Sequence, residues 1–194
     1  NFTAGNYLFA FVEDNQGGAG ATVNAPNGTW TTVPSSAIAH STGNIDVAWY
    51  YRPVLAGESN VVTVVVTASA SLGMQVYEVS DVGGIGTAVT TQTAAATTLL
   101  SGSVTPAPGG LVLVGYGRAG SLSGNGSYSN SFVADIAAAV RIAAAHKAGT
   151  GVAESTTLTT GESGLKVSSI FAVDPVVVRA QVVSDSAVHR ASRW

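Results

Sequence analysis

A glycine-rich motif is the first candidate for chemistry in this 194-residue sequence. Gly115-Tyr116-Gly117-Arg118-Ala119-Gly120 fits the G-x-G-x-x-G pattern and follows a hydrophobic run, as a dinucleotide-binding site requires. Such a site also needs a helix that begins at the second glycine and holds the pyrophosphate at its N-terminus. Residues 121–127 are mostly serine, glycine and asparagine and cannot hold that helix. The motif therefore predicts a wide hairpin loop.

Residues that could perform hydrolysis show no local pattern. The histidines are isolated in the sequence: His40, His146 and His189. No G-x-S-x-G, H-E-x-x-H or P-loop motif is present. We interpret His146 as a side chain at a strand end that caps the core. The acidic pairs lie in predicted turns or strand ends, so they do not support a glycosidase site: Glu13/Asp14, Glu78/Asp81 and Glu154/Glu162. The sequence predicts no enzyme, and a polysaccharide-active enzyme is the weakest alternative.

Two kinds of binding chemistry stay open. Oxygen-bearing side chains after the first predicted strand could hold a structural calcium ion, and no other cofactor is predicted: Glu13, Asp14 and Asn15. Three aromatic side chains would stack on sugar rings if they were exposed: Tyr50, Tyr116 and Tyr128. A sugar platform needs two or three coplanar rings on one surface. Aromatic residues are only 7% of the chain and most lie in predicted strands, so few are available for such a platform.

Composition narrows the class of protein. Charged residues are 10% of the chain, against the usual quarter, which is typical of an extracellular or virion β protein. The net charge of -3 provides no basic face for nucleic acid. No apolar run reaches 18 residues, so no membrane insertion is expected. The absence of cysteine excludes disulfides and thiol catalysis.

The segments that would position these residues occur twice, in the same order and about 100 residues apart. The matched pairs are Gly5–Val12 with Gly109–Gly117, Val47–Arg52 with Ile142–Lys147, and Gln75–Asp81 with Ser169–Asp174. This repetition predicts one domain over residues 1–175, an all-β, jelly-roll-like antiparallel β-sandwich built from two similar halves. The Ala-rich stretch 135–140 would suit a helix by propensity. We predict a strand through Lys147 because Val47–Arg52, its partner segment, is rich in β-branched and aromatic residues.

A set of short motifs resembles a known family. Ala4-Gly5-Asn6-Tyr7-Leu8, Pro26-Asn27-Gly28-Thr29-Trp30, Trp49-Tyr50-Tyr51-Arg52 with Ala56-Gly57, and Pro108-Gly109-Gly110-Leu111-Val112 resemble the jelly-roll modules of phage minor tail, baseplate and fibre proteins and of bacterial surface proteins. The resemblance covers roughly residues 4–175 and departs from the family pattern at Asn6 and Thr29. It implies a strand before residue 4, so we expect the chain to begin earlier. It brings no catalytic residues.

The resemblance and the composition predict a non-enzymatic structural or adhesion module of a phage virion, in a tail, baseplate, fibre or capsid decoration. Its expected partners are other copies of itself, neighbouring virion proteins and host-surface polysaccharide. The alternative is a carbohydrate-binding module of a secreted or surface-attached bacterial protein.

The C-terminal segment, residues 176–194, differs from the rest of the chain. It carries three arginines and one aspartate, whereas residues 1–175 have a net charge of -5. Val176–Val183 is strongly β-prone and would be a sticky edge if exposed. We predict that it adds a strand to a neighbouring chain, anchored by side chains behind it: Arg179, Arg190, Arg193 and Trp194. The alternatives are pairing with its own sandwich or the start of a further domain.

Overall fold

The computed structural model describes residues 2–14, 25–43, 45–64, 72–119, 127–135 and 142–176. These residues form β-strands without any helix, and among them no helix is long and apolar enough to cross a membrane. The strands are β1 (Tyr7–Asp14), β2 (Thr31–Thr32), β3 (Ile38–Ala39), β4 (Asp46–Pro53), β5 (Leu72–Val79), β6 (Val82–Ile85), β7 (Val89–Leu100), β8 (Leu111–Arg118), β9 (Ser127–Tyr128), β10 (Val133–Ala134), β11 (Ile142–Ala148) and β12 (Thr157–Pro175).

The strands form two antiparallel sheets: β1 to β5 form the first, and β6 to β12 form the second. In the first sheet β1 lies between β4 and β5, with the short β2 and β3 beside β4. In the second sheet β8 lies between β11 and β12, and β6, β7 and β9 pair with β12. Each matched pair of segments thus occupies the same place in its sheet. The predicted all-β sandwich of two similar halves is confirmed.

The central core lies between the two sheets. By the period-two alternation of a strand, Phe9 and Phe11 of β1 face the second sheet, together with Trp49 of β4. The Trp49 ring lies 4.9 Å from Phe11 and 5.2 Å from Phe171 between centroids, and its Nε1 donates to the Ser169 carbonyl at 3.1 Å. Trp49 is fully buried.

Each sheet also buries its outer face. On the second sheet, Val112, Val114 and Tyr116 lie beneath Leu99 and Leu158. The β7–β12 ribbon folds back to provide this cover: its register shifts between Thr159 and Gly164, and the Thr91 hydroxyl donates to the Leu100 carbonyl at 2.7 Å. On the first sheet, an outer cluster gathers Ala10, Val12, Ala48 and Tyr50 under Trp30 and Val64. Apolar clusters therefore lie between the two sheets and on the outer face of each sheet.

The glycine motif lies within a strand. Gly115 and Gly117 belong to β8, so the predicted hairpin loop was wrong at these positions. Both face the central core, where a Cβ on Gly115 would lie 2.5 Å from ring carbons of Phe11 and one on Gly117 would lie 2.5 Å from Val47 Cγ1. The glycines are needed because core side chains from the first sheet occupy the space where their side chains would lie.

The second predicted strand of the second half is also present. Ile142–Ala148 forms β11, paired with β8 on one side and with β10 on the other. Strand pairing with β8 overrides the helix propensity of its alanines. Residues 136–141, which the competing helix prediction included, lie outside the described residues.

Candidate functional site

A cleft of about 830 Å³ opens at one end of the sandwich. It lies between the end of β5 in the first sheet and the ends of β8, β11 and β12 in the second. Its volume falls within the range of about 300 to 1,000 Å³ that is typical of small-molecule sites. Apolar side chains make much of its wall, and the polar groups at its rim include Asp81, Ser131, His146 and Asp174.

A histidine–aspartate pair borders the cleft, and its histidine, His146, belongs to the lining. His146 Nδ1 lies 2.7 and 2.9 Å from the two carboxylate oxygens of Asp135, and the Tyr77 hydroxyl donates to Asp135 Oδ2 at 2.8 Å. Burial, followed by the charge of Asp135, raises the pKa of Tyr77, so this hydroxyl stays a donor. Because a carboxylate only accepts, the proton of a neutral His146 ring lies on Nδ1 and Nε2 is an acceptor.

A short hairpin brings this pair together. Val133 of β10 pairs with His146 of β11, and the Asp135 amide donates to the Ala144 carbonyl at 3.0 Å. His146 was predicted at a strand end and lies two residues before the end of β11, and its pairing with Asp135 was not predicted. The sequence signal for this contact was the short separation between Asp135, directly after β10, and His146 of the paired strand β11. The helix propensity of the alanine-rich stretch between them pointed away from such a pairing.

A neighbouring ion pair serves the structure. Lys147 Nζ lies 2.6 Å from Glu154 Oε2, and the Thr150 hydroxyl donates to Glu154 Oε1 at 2.6 Å. These two bonds, that from Lys147 first, lower the pKa of Glu154. The Lys147 ammonium also lies 5.8 Å from the centroid of the Phe132 ring. Both carboxylate oxygens of Glu154 are therefore bonded, and Glu162 bonds Arg118.

A second groove, of about 530 Å³, lies beside Trp30. The Arg52 guanidinium lies 5.0 Å from the centroid of the Trp30 ring and pairs with Glu58, a bond that lowers the pKa of Glu58. Leu55 and Val61 are exposed on its wall. The two charged groups in this groove already bind each other.

The three predicted sugar-contact tyrosines do not form a platform. Tyr50 and Tyr116 are buried, 5% and 1% exposed, so their prediction as stacking surfaces was wrong. Burial, then the charge of Asp14, raises the pKa of Tyr50 to about 12, and Tyr116 donates to the Thr156 carbonyl at 3.1 Å. Tyr128 is half-buried and its hydroxyl oxygen is enclosed. Tyr50 belongs to the cluster on the outer face of the first sheet, and Tyr116 and Tyr128 belong to the cluster on the outer face of the second sheet. These tyrosines are not available for stacking because other segments cover both outer faces.

The predicted calcium ligands do not converge. Glu13 and Asp14 are consecutive in β1, so they point to opposite faces. Glu13 lies near the inward-facing Gly117, whereas Asp14 influences the pKa of Tyr50 on the outer face. Both are buried, and Asn15 lies outside the described residues. In the described ranges no group of three His, Asp or Glu side chains could hold a metal ion.

Asp14 has a different acidic neighbour. It pairs in register with Asp46 of β4, and both residues are fully buried. Burial, then the charge of Asp14, raises the pKa of Asp46 from 3.8 to about 6. Within the described residues, neither carboxylate oxygen of Asp46 has a hydrogen-bond partner. Ionisation of Asp46 therefore costs stability at neutral pH.

Substituting Asp46→Asn is expected to raise the free energy of unfolding by about 1 to 2 kcal/mol at pH 7.5. A carboxyl whose pKa is raised in the folded state loses its favourable contribution as pH rises, here between about 4 and 6. Asparagine cannot ionise, so the gain should be absent near pH 4 and complete above pH 7. Urea titrations at both pH values measure the difference. A gain independent of pH would show that Asp46 ionisation is not its cause.

The C-terminal partner-contact residues remain a prediction. Arg179, Arg190, Arg193 and Trp194 lie outside the described residues. The structure follows the chain as far as Val176, whose amide donates to the Asp81 carbonyl at 2.8 Å beside β6.

The chain was compared with known proteins by family, by sequence and by structure. It matches no family model, no curated protein and no solved structure.

Proposed function

We propose that this chain is a non-enzymatic structural or adhesion module of a phage virion, in a tail, baseplate, fibre or capsid decoration. The observation that carries the proposal is the sandwich with apolar clusters between its sheets and on both outer faces. Two duplicated sheets share an aromatic core, and each has its outer face covered as well. A densely packed domain of this kind, with its sheet faces covered, suits a particle component that presents its ends to partners. The family resemblance of the motifs supports the same function.

The proposal includes the absence of catalysis. His146 is held by Asp135 as a general base would be, but in the described part of the chain no hydroxyl lies within hydrogen-bond distance of its Nε2. We expect no turnover on a panel of polysaccharides and esters. Turnover that disappears in the variant His146→Ala would contradict this part of the proposal.

Assembly with other copies or with neighbouring virion proteins is the second part. We expect the full chain to associate in light scattering and to enter particles, and a chain ending at Val176 to do neither, because it lacks the basic, β-prone segment. The shortened chain keeps every described strand, including the Pro175 pairing with β6. Circular dichroism of the shortened chain is the control for folding. Equal assembly of both chains would exclude residues 177–194 as the attachment.

The cleft favours one alternative, a carbohydrate-binding module of a secreted or surface-attached bacterial protein. Both functions allow contact with a host-surface polysaccharide, and they differ in where the chain resides. Recovery of the chain in purified particles supports the virion function, and recovery on cells or in culture fluid without particles supports the alternative.

A further inference from the structure

The cleft contains a fixed hydrogen-bonding group directed by its neighbours. The His146 side chain is 37% exposed and Asp135 is 16% exposed, so the carboxylate is shielded while the ring reaches the opening. Tyr77 and His146 together hold Asp135 through both oxygens. His146 Nε2 has no partner in the described residues. A ligand hydroxyl would therefore meet an acceptor whose orientation costs little entropy on binding.

The wall beside this group is apolar. Val79, Leu111, Val133 and Val173 line the cleft, and Val133 is 55% exposed. Ser80 and Ser131 also line the cleft, together with Thr150, whose hydroxyl donates to Glu154. An apolar wall beside serine residues and an imidazole matches a ligand with one C–H face and several hydroxyls, which is the chemistry of a sugar ring.

The charges of the cleft select among sugars. Asp81 and Asp174 line it and Asp135 lies behind His146, whereas the nearby Lys147 is already paired with Glu154. The local charge is therefore negative when His146 is neutral. An acidic sugar would be repelled, and a neutral or amino-bearing sugar would not.

The rim also contains unusual backbone. Asp81 has φ of 55° and Ser131 has φ of 61°, in the left-handed region that non-glycine residues seldom adopt. Both line the cleft. Strained residues of this kind often occur where a surface is shaped for a ligand.

We infer that this cleft binds a neutral or amino-bearing saccharide, with His146 Nε2 accepting a hydrogen bond from a sugar hydroxyl. The inference deepens the adhesion part of the proposed function and rests on it. Asp135 acts as a positioning residue, because it touches His146 and fixes its tautomer.

The test is an NMR titration of the full chain with three probes: methyl glucoside, glucosamine and glucuronate. We expect the first two to shift the His146 ring signals and neighbouring amides, and glucuronate to bind at least about tenfold more weakly. Replacing His146→Ala should weaken binding of the neutral sugar by about tenfold, as loss of one hydrogen bond does. The control Leu55→Ala alters the second groove and should leave the affinity unchanged.

Two further variants keep the test informative if His146→Ala folds poorly. Asp81→Asn retains a residue that tolerates positive φ, and because it removes one negative charge from the lining it should reduce the discrimination against glucuronate without weakening binding of the neutral glycoside. Asp135→Asn should change the His146 tautomer, read from its ring nitrogen shifts, and weaken sugar binding with it. No shift in the cleft with any probe, or equal affinity for glucuronate, would overturn the inference. Particle incorporation would be unaffected by that outcome, so it tests the proposed function separately.

Discussion

Replacing Trp49 by alanine is expected to lower the free energy of unfolding by about 3 to 5 kcal/mol. The ring is fully buried and contacts Phe11, Tyr77 and Phe171, with centroids at 4.9, 5.8 and 5.2 Å. Truncation removes these contacts, leaves a cavity between the sheets and leaves the Ser169 carbonyl without its donor. Urea unfolding followed by circular dichroism measures the loss.

Trp30→Ala is the matched control, because Trp30 is a half-buried tryptophan outside the central core. Its loss should cost about 1 to 2 kcal/mol, from the partial apolar burial and the contact with Arg52. Equal losses for the two variants would mean that the space between the sheets is not the main source of stability.

A single methyl group on Gly115 is expected to cost about 2 to 3 kcal/mol. The Cβ of Gly115→Ala would lie 2.5 Å from two ring carbons of Phe11 and 2.6 Å from a third. Phe11 is fully buried and itself packs on Trp49, so its ring cannot move away without disturbing the core. Thermal and urea unfolding would measure this cost.

Gly161→Ala provides the control for this prediction. A Cβ on Gly161 would meet no atom within 4 Å, and its φ is not in the left-handed region. Alanine there should be neutral or stabilise by up to about 1 kcal/mol, because it reduces the entropy of the unfolded chain. If the Gly115 variant were as stable as this control, the contact between Gly115 and Phe11 would be wrong.

The arrangement of the two sheets was predictable because the chain repeats itself. The matched segments have the same order in sequence, and β1 and β8 each lie between the other two strands of their set of matched segments. The face of Trp49 also followed from strand alternation, since Val47 lies two residues before it.

The cover on the outer faces was not predictable from local pattern. Tyr50 and Tyr116 alternate with core residues, a pattern that normally indicates an exposed face. They are buried because distant segments, such as the folded β7–β12 ribbon, cover them. Gly115 was likewise predicted to lie in a loop from its local sequence. It lies in a strand, and a glycine is needed there because the Phe11 ring of the other sheet occupies the space of a side chain.

The acidic residues divide into two cases. Strand alternation alone separates Glu13 from Asp14, so the failure of the calcium site could have been deduced once β1 was extended to Asp14. The contact between Asp135 and His146 could be predicted only from the pairing of β10 with β11. The helix propensity of the alanine-rich stretch argued against that pairing.

Immunogold electron microscopy of particles purified from cultures that produce this chain tests the proposed virion function most directly. An antibody raised against the folded sandwich should place gold at a constant position on intact particles, on the tail, baseplate, fibre or capsid surface. Particles stripped of the chain by deletion of its coding segment are the control and should carry no gold. Absence of the antigen from purified particles, with the chain recovered free in the culture fluid or on cells, would contradict the account.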